Sequence, residues 1–257
     1  MNTARSALTG ATRLGSVASL SLLVSGCATH TVSFERDAAR GYITTRPGRP
    51  GFVVAAPHGT SDPLTGDIAS QVAHLTGFGL VVATGFALEP DRPSGPGRRY
   101  QVNRPLEGVP GQPPTQEVAT DGARQVYEAY EKHVSEVAQG AVRFYAEVHG
   151  NNRGESAGRL EIATVGVDRD AAVKLRTLLE LIRDAHLRAE PRAPRLDVLI
   201  EPADVIVYAA SGAKRSGILK LPDRGLHIEL PRSARRDWRQ VYTAILADFL
   251  VQAATLR

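Results

Sequence analysis

The segment FVVAAPHGTSD, residues 52–62, combines a structural signal with a chemical one. An apolar run ends abruptly in Pro57, His58 and Gly59, and the acid Asp62 follows four residues after the histidine. A short apolar run bounded by proline and glycine is typical of a buried strand that ends in a tight turn. The segment is either an ordinary strand end with polar side chains or one half of a metal site, and the rest of the sequence has to distinguish between the two.

Apolar and amphipathic segments alternate along the chain in a way that predicts an α/β fold. Helical spacing of apolar residues predicts helices over residues 67–76, 121–139, 170–187 and 235–256. Short apolar runs predict strands over 51–56, 79–84, 142–148, 160–167, 196–200, 205–208 and 225–230. This alternation indicates a single three-layer α/β domain with a mixed, mostly parallel sheet flanked by helices. The proline- and glycine-rich residues 87–120 predict a long loop that is functional or disordered.

The N-terminus has the composition of a bacterial lipoprotein signal peptide. Arg5 and Arg13 supply positive charge before an apolar run at residues 14–26, which is too short to span a bilayer as a mature helix. The run ends in small residues before the single cysteine of the chain, Cys27. This pattern resembles a lipobox, in which the cysteine is lipidated; a plain secretory signal followed by a chance cysteine is the alternative.

The lipobox divides the chain into three predicted segments. These are a signal peptide over residues 1–26, a lipid-anchored tether over 27–48 and the α/β domain over 49–257. A lipid on Cys27 would attach the protein to a membrane surface and imply export to the bacterial cell envelope. Because Ala28 rather than an aspartate follows the cysteine, we expect sorting to the outer membrane, facing the periplasm.

Charge and cysteine content limit the classes of partner and metal site. Removal of residues 1–26 leaves 29 basic and 27 acidic side chains, an excess too small to predict a nucleic-acid partner. Arginine far outnumbers lysine, and a guanidinium fits a carboxylate better than an ammonium does, so the sequence favours an anionic small ligand. With one cysteine, a metal would have to be held by histidine, aspartate and glutamate side chains.

Three polar residues fall at or near the carboxyl ends of predicted strands, where ligands bind in open α/β sheets. His58 and His149 each end a strand, and Glu229 lies in the last one. His58, Asp62 and His149 supply the three ligands of a catalytic zinc site and leave a fourth position for water. Each has a simpler interpretation, because a histidine at a strand end is often only hydrogen-bonded and an acid before proline often starts a turn.

The order of four short motifs resembles one protein family. The similarity is to the N-formylglutamate amidohydrolase-like proteins and phage-type poly-γ-glutamate hydrolases, relatives of the zinc carboxypeptidases and aspartoacylase. It extends over residues 51–235 and implies the zinc carboxypeptidase-like (phosphorylase/hydrolase-like) form of the α/β fold. The motifs are Pro57-His58-Gly59 with Asp62, Asn103-Arg104, Val148-His149-Gly150 and Ile228-Glu229-Leu230-Pro231.

The resemblance implies a metal centre and a general base. His58, Asp62 and His149 would hold Zn²⁺, and Glu229 would take a proton from water and return it to the leaving nitrogen. Many relatives have glutamate where this chain has Asp62, so the nearby Asp67 is an alternative ligand, although it is better explained as a helix N-cap.

The resemblance also implies a substrate clamp. Arg104, with Asn103 beside it, would bind a substrate carboxylate through a bidentate guanidinium. Arg98 and Arg99 would polarise the carbonyl or widen the anionic pocket, or they are simply a solvated basic run. Two acids near the predicted site add alternatives: Glu161 could replace Glu229 as the base, and Glu147 could orient His149.

The function that these residues predict is zinc-dependent hydrolysis of an amide in a carboxylate-bearing substrate. An N-acyl amino acid, a glutamyl peptide or a cell-wall-type peptide would suit an exported protein better than a metabolite of the cytoplasm. One alternative is a metal-free envelope lipoprotein that binds a ligand with the same fold, and another is a structural envelope lipoprotein. Stoichiometric zinc that is lost on His58→Ala would favour the enzyme.

Overall fold

The computed structural model describes residues 30–33, 41–90, 92–93, 97–113 and 115–256. The predicted signal peptide and the predicted lipidation site, Cys27, lie outside these ranges, so export and anchoring stay predictions. Among the described residues, no helix combines the length and the apolar composition that a transmembrane span requires.

Ten strands and six α-helices make up the described fold. The strands are β1 (His30–Ser33), β2 (Tyr42–Arg46), β3 (Arg49–Ala56), β4 (Phe78–Thr84), β5 (Glu107–Gly108), β6 (Glu117–Val118), β7 (Phe144–Asn151), β8 (Arg159–Val165), β9 (Asp197–Ile200) and β10 (Arg224–Pro231). The helices are α1 (Thr65–Thr76), α2 (Asp121–Ala138), α3 (Arg169–Leu187), α4 (Ser211–Ser216), α5 (Arg232–Arg235) and α6 (Arg239–Ala253), with 3₁₀ turns at Gly154–Ser156 and Ile218–Lys220.

Eight strands form one sheet in the order β1-β2-β4-β3-β7-β10-β8-β9, and β5 and β6 form a separate hairpin. The pairs β3–β4, β3–β7, β7–β10 and β8–β9 are parallel, and the other three pairs are antiparallel. The prediction of an α/β domain with a mixed, mostly parallel sheet is confirmed. Because β3, β7 and β10 are adjacent and parallel, their carboxyl ends meet at one edge of the sheet.

The strand that decides the fold is buried on both faces. Alternate side chains of β3 point to opposite sides, so Phe52 and Val54 pack in one core with helices α1, α3 and α6. Val53 and Ala55 pack in a second core on the other side, against α2. Two cores separated by one sheet constitute the predicted three layers, and they explain why this strand is a continuous apolar run.

The structure corrects three boundaries. The predicted tether over 27–48 is wrong in its last part, because Tyr42–Arg46 forms β2, pairs antiparallel with β4 and buries Ile43, so the domain starts before residue 49. Only alternate positions of β2 are buried, and a single buried isoleucine is too weak a periodic signal. Residues 205–208 are irregular, with a bend at Val207, rather than a strand, and the last predicted helix divides into α5 and α6.

Candidate active site

The carboxyl ends of β3 and β7 bring three predicted metal ligands together. Oδ2 of Asp62 lies 3.4 Å from His58 Nδ1 and 3.5 Å from His149 Nδ1. The two imidazole centroids are 4.9 Å apart, in an edge-to-face arrangement. One ligand atom from each of the three residues lies within 4.8 Å of the other two. The two histidines, 91 positions apart in the sequence, can therefore bind one cation.

The turn after β3 fixes the orientation of His58. The N–H of Asp62 donates to the His58 carbonyl at 2.8 Å, and the N–H of Gly59 donates to the Ala83 carbonyl at 2.9 Å. A Cβ at Gly59 would lie 2.9 Å from that same carbonyl oxygen, so the close approach requires glycine. His58 Nε2 lies 2.9 Å from the carbonyl of Gln101, which can only accept a hydrogen bond. Nε2 therefore donates to that carbonyl, and Nδ1 faces Asp62.

The electrostatics of the cluster favour a cation. Burial alone would raise the pKa of Asp62, but the imidazoles of His149 and His58 outweigh burial and hold this pKa far below its usual range. Burial likewise opposes protonation of His149, yet the carboxylates of Glu147 and Asp62 raise the pKa of His149 to about 10. In the absence of a metal, a proton on His149 thus compensates the surrounding carboxylates, and a divalent cation would displace that proton.

Glu147 contacts His149 on the side of the ring away from Asp62. It is fully buried on β7, and its Oε1 lies 3.2 Å from His149 Nε2. Its carboxylate accepts hydrogen bonds from Tyr145 Oη at 3.0 Å, Asn103 Nδ2 at 3.3 Å and His227 Nδ1 at 2.6 Å. Burial raises the pKa of Glu147, but His149 and His227 more than offset burial and keep this pKa well below its usual range. The carboxylate is therefore the charged acceptor that the sequence suggested as a partner of His149.

A hydroxyl chain connects Glu147 to helix α2. Because Tyr145 donates its one hydroxyl proton to Glu147, the hydroxyl of Tyr130, 3.0 Å away, must donate to Tyr145. Both tyrosines are fully buried, and burial raises the pKa of each well above its usual value. The chain thus satisfies three buried polar groups without water.

His227 is a site residue that the sequence reasoning missed. Its ring stacks on that of His149 with centroids 4.0 Å apart, and its Nε2 lies 3.2 Å from Glu229 Oε1. In the parallel pairing of β7 with β10, His227 is opposite Glu147 and Glu229 is opposite His149. The signal was available, because residues two apart on a strand share a face.

A second group, Glu147, His149 and His227, also brings three ligand atoms within 4.8 Å. In this group, however, Glu147 is fully buried and already accepts three hydrogen bonds, one of them from His227. The cluster of His58, Asp62 and His149 opens to the cleft, so it is the better metal centre.

Glu229 presents a carboxylate oxygen that is free to act. Oε1 contacts His227, whereas Oε2 is buried and has no hydrogen-bond partner among the described residues. The rival base, Glu161, is opposite Glu229 on β8, but its Oε2 accepts the N–H groups of Val207 and Tyr208 at 2.8 and 3.2 Å. Glu161 is fully buried and outside the cleft lining, so it holds residues 207–208 in place.

The alternative metal ligand predicted from the sequence, Asp67, lies outside the cleft. Asp67, on α1, forms an exposed ion pair with Arg239 at 3.0 Å and does not line the cleft. It therefore contributes to the packing of α1 beside α6. It also makes no side-chain cap at the start of α1.

The predicted substrate clamp is engaged within the protein. Arg104 donates through Nε to Glu117 Oε2 at 2.9 Å and through Nη2 to Glu117 Oε1, and through Nη1 to Asn103 Oδ1 at 3.0 Å. Arg104 and Glu117 both line the cleft. Asn103 has no exposed surface and is not part of the lining. Instead of contacting substrate, Asn103 links Arg104 to Glu147.

The two arginines before the clamp separate in the structure. Arg98 lies 3.8 Å from Glu89 and 3.7 Å from Glu107, and it does not line the cleft. Arg99 lines the cleft. Of the two predicted substrate contacts, only Arg99 is positioned to meet a ligand.

A buried arginine, Arg235, connects the segments that carry the site. It donates to the carbonyls of Leu230 at 3.1 Å, Pro63 at 2.7 Å and Asn151 at 2.9 Å. These acceptors belong to the ends of β10 and β7 and to the turn after β3. Gly150 makes the arrangement possible, because a Cβ there would collide with the guanidinium of Arg235.

The site opens into a cleft with a volume of about 820 Å³. This volume is in the range of small-molecule sites and accommodates an amino-acid derivative or a short peptide. The cleft is lined by the turn after β3, the end of β7, the loop before α2 and the segment around α4, and by His227 and Glu229 of β10. Four arginines line it: Arg99, Arg104, Arg153 and Arg215.

No protein-family model and no curated protein match the chain. Among solved structures it is similar to a bacteriophage poly-γ-glutamate hydrolase, at 13% identity and a TM-score of 0.45, covering 86% of this chain and 91% of the other. It is similar to a metallo-carboxypeptidase from Burkholderia cenocepacia, at 13% identity and a TM-score of 0.41, covering 88% and 65%. It is also similar to the succinylglutamate desuccinylase from Chromobacterium violaceum, at 14% identity and a TM-score of 0.39, covering 88% and 70%.

These neighbours are hydrolases of the group that the sequence motifs resemble. At such identities and TM-scores, they transfer neither an activity nor a residue role to this chain. The roles below therefore depend on the geometry of its own residues.

Proposed function

We propose that the protein is a zinc-dependent amidohydrolase that cleaves an amide or peptide bond in a carboxylate-bearing substrate. The observation that carries the proposal is the convergence of His58, Asp62 and His149 in the lining of a cleft that also includes Glu229, whose buried Oε2 has no hydrogen-bond partner among the described residues. Two imidazoles and one carboxylate with an open side are the donor set of catalytic zinc.

His58, Asp62 and His149 would hold the ion, which when bound supplies Lewis-acid polarisation of the scissile carbonyl and lowers the pKa of water. Glu229 then acts as the general base. Its Oε2 takes a proton from the attacking water, and the same oxygen returns that proton to the leaving nitrogen as the C–N bond breaks. His227 holds Oε1, so that Oε2 remains directed at the reacting groups.

The substrate class follows from the charge of the cleft and from the predicted location. Arginine side chains on its walls favour a carboxylate over a neutral group. N-acyl amino acids, glutamyl peptides and cell-wall-type peptides carry such a group beside an amide. We extend the proposal to a protein that is exported and anchored to the cell envelope through a lipid on Cys27, with no nucleic-acid partner.

The test is zinc content of the purified protein, followed by amine release from a panel of N-acyl amino acids and short peptides. We expect one zinc per chain in the wild type and little in His58→Ala and His149→Ala. The matched control is His186→Ala, because the His186 side chain pairs with Asp248 and lies outside the cleft lining. Negligible zinc in the wild type would refute the catalytic proposal.

A metal-free ligand-binding protein is the second candidate. One observation favours it: Asp62 contacts both imidazoles, so the cluster can neutralise itself without a metal. Carboxylate binding by a wild-type protein that holds no zinc and releases no amine would support this candidate instead.

A further inference from the structure

The Nε/Nη2 edge of the Arg104 guanidinium is already occupied by another residue of the protein. Glu117 binds Nε and Nη2 with its two oxygens, and Asn103 accepts from Nη1. A guanidinium holds a carboxylate through two parallel N–H groups on one edge. The carboxylate of Glu117 thus occupies the place that a substrate carboxylate would take on Arg104.

The hairpin that carries Glu117 keeps it there. Gly108 of β5 pairs with Glu117 of β6, and the N–H of Val109 donates to the Gln116 carbonyl at 3.1 Å. Only 18% of the Arg104 side chain and 12% of the Glu117 side chain are exposed. Separating a shielded pair leaves two poorly solvated charges, so a substrate that displaced Glu117 would lose much of its binding energy.

Arg215 is the cleft arginine that is available for a ligand. Arg99 has a partner within the protein, and Arg153 lies 3.6 Å from Glu155 and over the ring of Tyr208. The side chain of Arg215 is exposed on α4, lines the cleft and makes no hydrogen bond or ion pair with the side chains or backbone of the described ranges.

The position of α4 places Arg215 near the blocked clamp. A Cβ at Gly212 would lie 2.8 Å from Cδ of Arg104, so this side of α4 packs directly on Arg104. Arg215 follows Gly212 by three residues and therefore shares a face with it, about one helical turn along. The backbone of Arg215 is therefore displaced by about 4.5 Å along the helix axis from the glycine that contacts Arg104, and Arg215 lines the same cleft.

We propose that Arg215, rather than Arg104, binds the substrate carboxylate, and that Glu117 is a specificity-determining residue because it blocks Arg104. The inference rests on the proposed carboxylate-bearing substrate. It assigns the charge that recognises the substrate to α4 and leaves the adjacent Arg104–Glu117 pair as a neutral part of the same cleft wall.

The experiment compares two probes that differ only in charge, N-acetyl-L-alanine and N-acetyl-L-alanine amide. Their binding to the full-length chain is measured by titration calorimetry at low ionic strength, both as isolated and after chelation. We expect Arg215→Gln to weaken binding of the acid at least tenfold and to leave binding of the amide unchanged. Arg192→Gln, which removes an exposed arginine outside the cleft, is the matched control and leaves both unchanged.

A double substitution that removes both charges of the Arg104–Glu117 pair tests whether Arg104 contributes to carboxylate binding. Arg104→Gln combined with Glu117→Gln should alter acid binding less than twofold, whereas Glu117→Gln alone frees Arg104 and should tighten it several-fold. Thermal unfolding of each variant establishes that it is folded. The inference is overturned if the wild type does not prefer the acid to the amide, or if the double variant loses acid binding while Arg215→Gln keeps it.

The two proposals fail separately. A wild type without zinc that still shows Arg215-dependent acid binding after chelation would refute amide hydrolysis and retain this inference. A zinc-loaded enzyme whose acid binding does not depend on Arg215 would do the reverse.

Discussion

Replacing Glu147 by glutamine tests the buried network that supports His149. The carboxylate of Glu147 accepts from Tyr145, Asn103 and His227, and it faces Nε2 of His149 at 3.2 Å. A glutamine has the same shape but only one acceptor oxygen, so at least one of these donors would face an NH₂ group.

The magnitude follows from the contacts that are lost. A hydrogen bond to a charged group contributes about 1.5–3 kcal/mol, and a buried donor without an acceptor costs about 1–3 kcal/mol. Weakening three such bonds and leaving one donor unpaired gives an expected loss of about 3–4 kcal/mol in the free energy of unfolding. Zinc affinity should also fall about 10- to 100-fold, since a partner that orients a metal-bound histidine typically has this effect.

Urea unfolding followed by the fluorescence of Trp238, the single tryptophan, gives the stability, and competition with a chelating dye gives the zinc affinity. Glu161→Gln is the comparison, because Glu161 is another fully buried glutamate but bonds to Val207 and Tyr208 instead of facing His149. It should lose stability and retain zinc affinity. Wild-type stability and unchanged zinc affinity in Glu147→Gln would refute the role given to this network.

Three further results are expected. Glu229→Gln should retain zinc and lose at least about 100-fold in kcat, because Glu229 is the proposed general base and not a ligand; amine release at matched zinc content measures this, and full activity would contradict it. Zinc affinity should rise about tenfold per pH unit from pH 7 to 9, because His149, with its pKa raised to about 10, must release a proton to bind the metal. A pH-independent zinc affinity would be inconsistent with this charge state. Without zinc, the stabilisation from protonated His149 is complete below its unfolded pKa of about 6.5 and is lost as the pH rises through 10. Gly150→Ala should destabilise the protein by about 1–3 kcal/mol by displacing Arg235, as measured in urea, whereas Gly154→Ala, where a Cβ meets open space, should have little effect.

The part of the site that could be predicted from sequence comes from strand ends. His58 and His149 each follow an apolar run, and the carboxyl ends of adjacent parallel strands meet at one sheet edge, so pattern alone brought them together. Glu229 became a candidate for the same reason. The three-layer fold was predictable because the buried strands and amphipathic helices have distinct periods.

The residues that were missed make contacts with segments far away in the sequence. The period of a strand places His227 on the same face as Glu229, but its contact with Glu147 depends on the register between β7 and β10. The Arg104–Glu117 pair joins two parts of an irregular loop, so the sequence showed a clamp and could not show that it was closed. Strand β2 was assigned to the tether because its pairing with β4 crosses the whole of β3 and α1 in sequence.

The three carbonyls that Arg235 gathers have a consequence for how this protein can diversify. Because the Arg235 side chain donates hydrogen bonds to all three segments that carry Asp62, His149 and Glu229, a substitution that shifts one segment is expected to shift the other two. The facing wall, built from the loop of β5 and β6 and from α4, shares none of these bonds. New preferences for ligands can therefore arise there by exchange of single residues, while the reacting groups keep their positions.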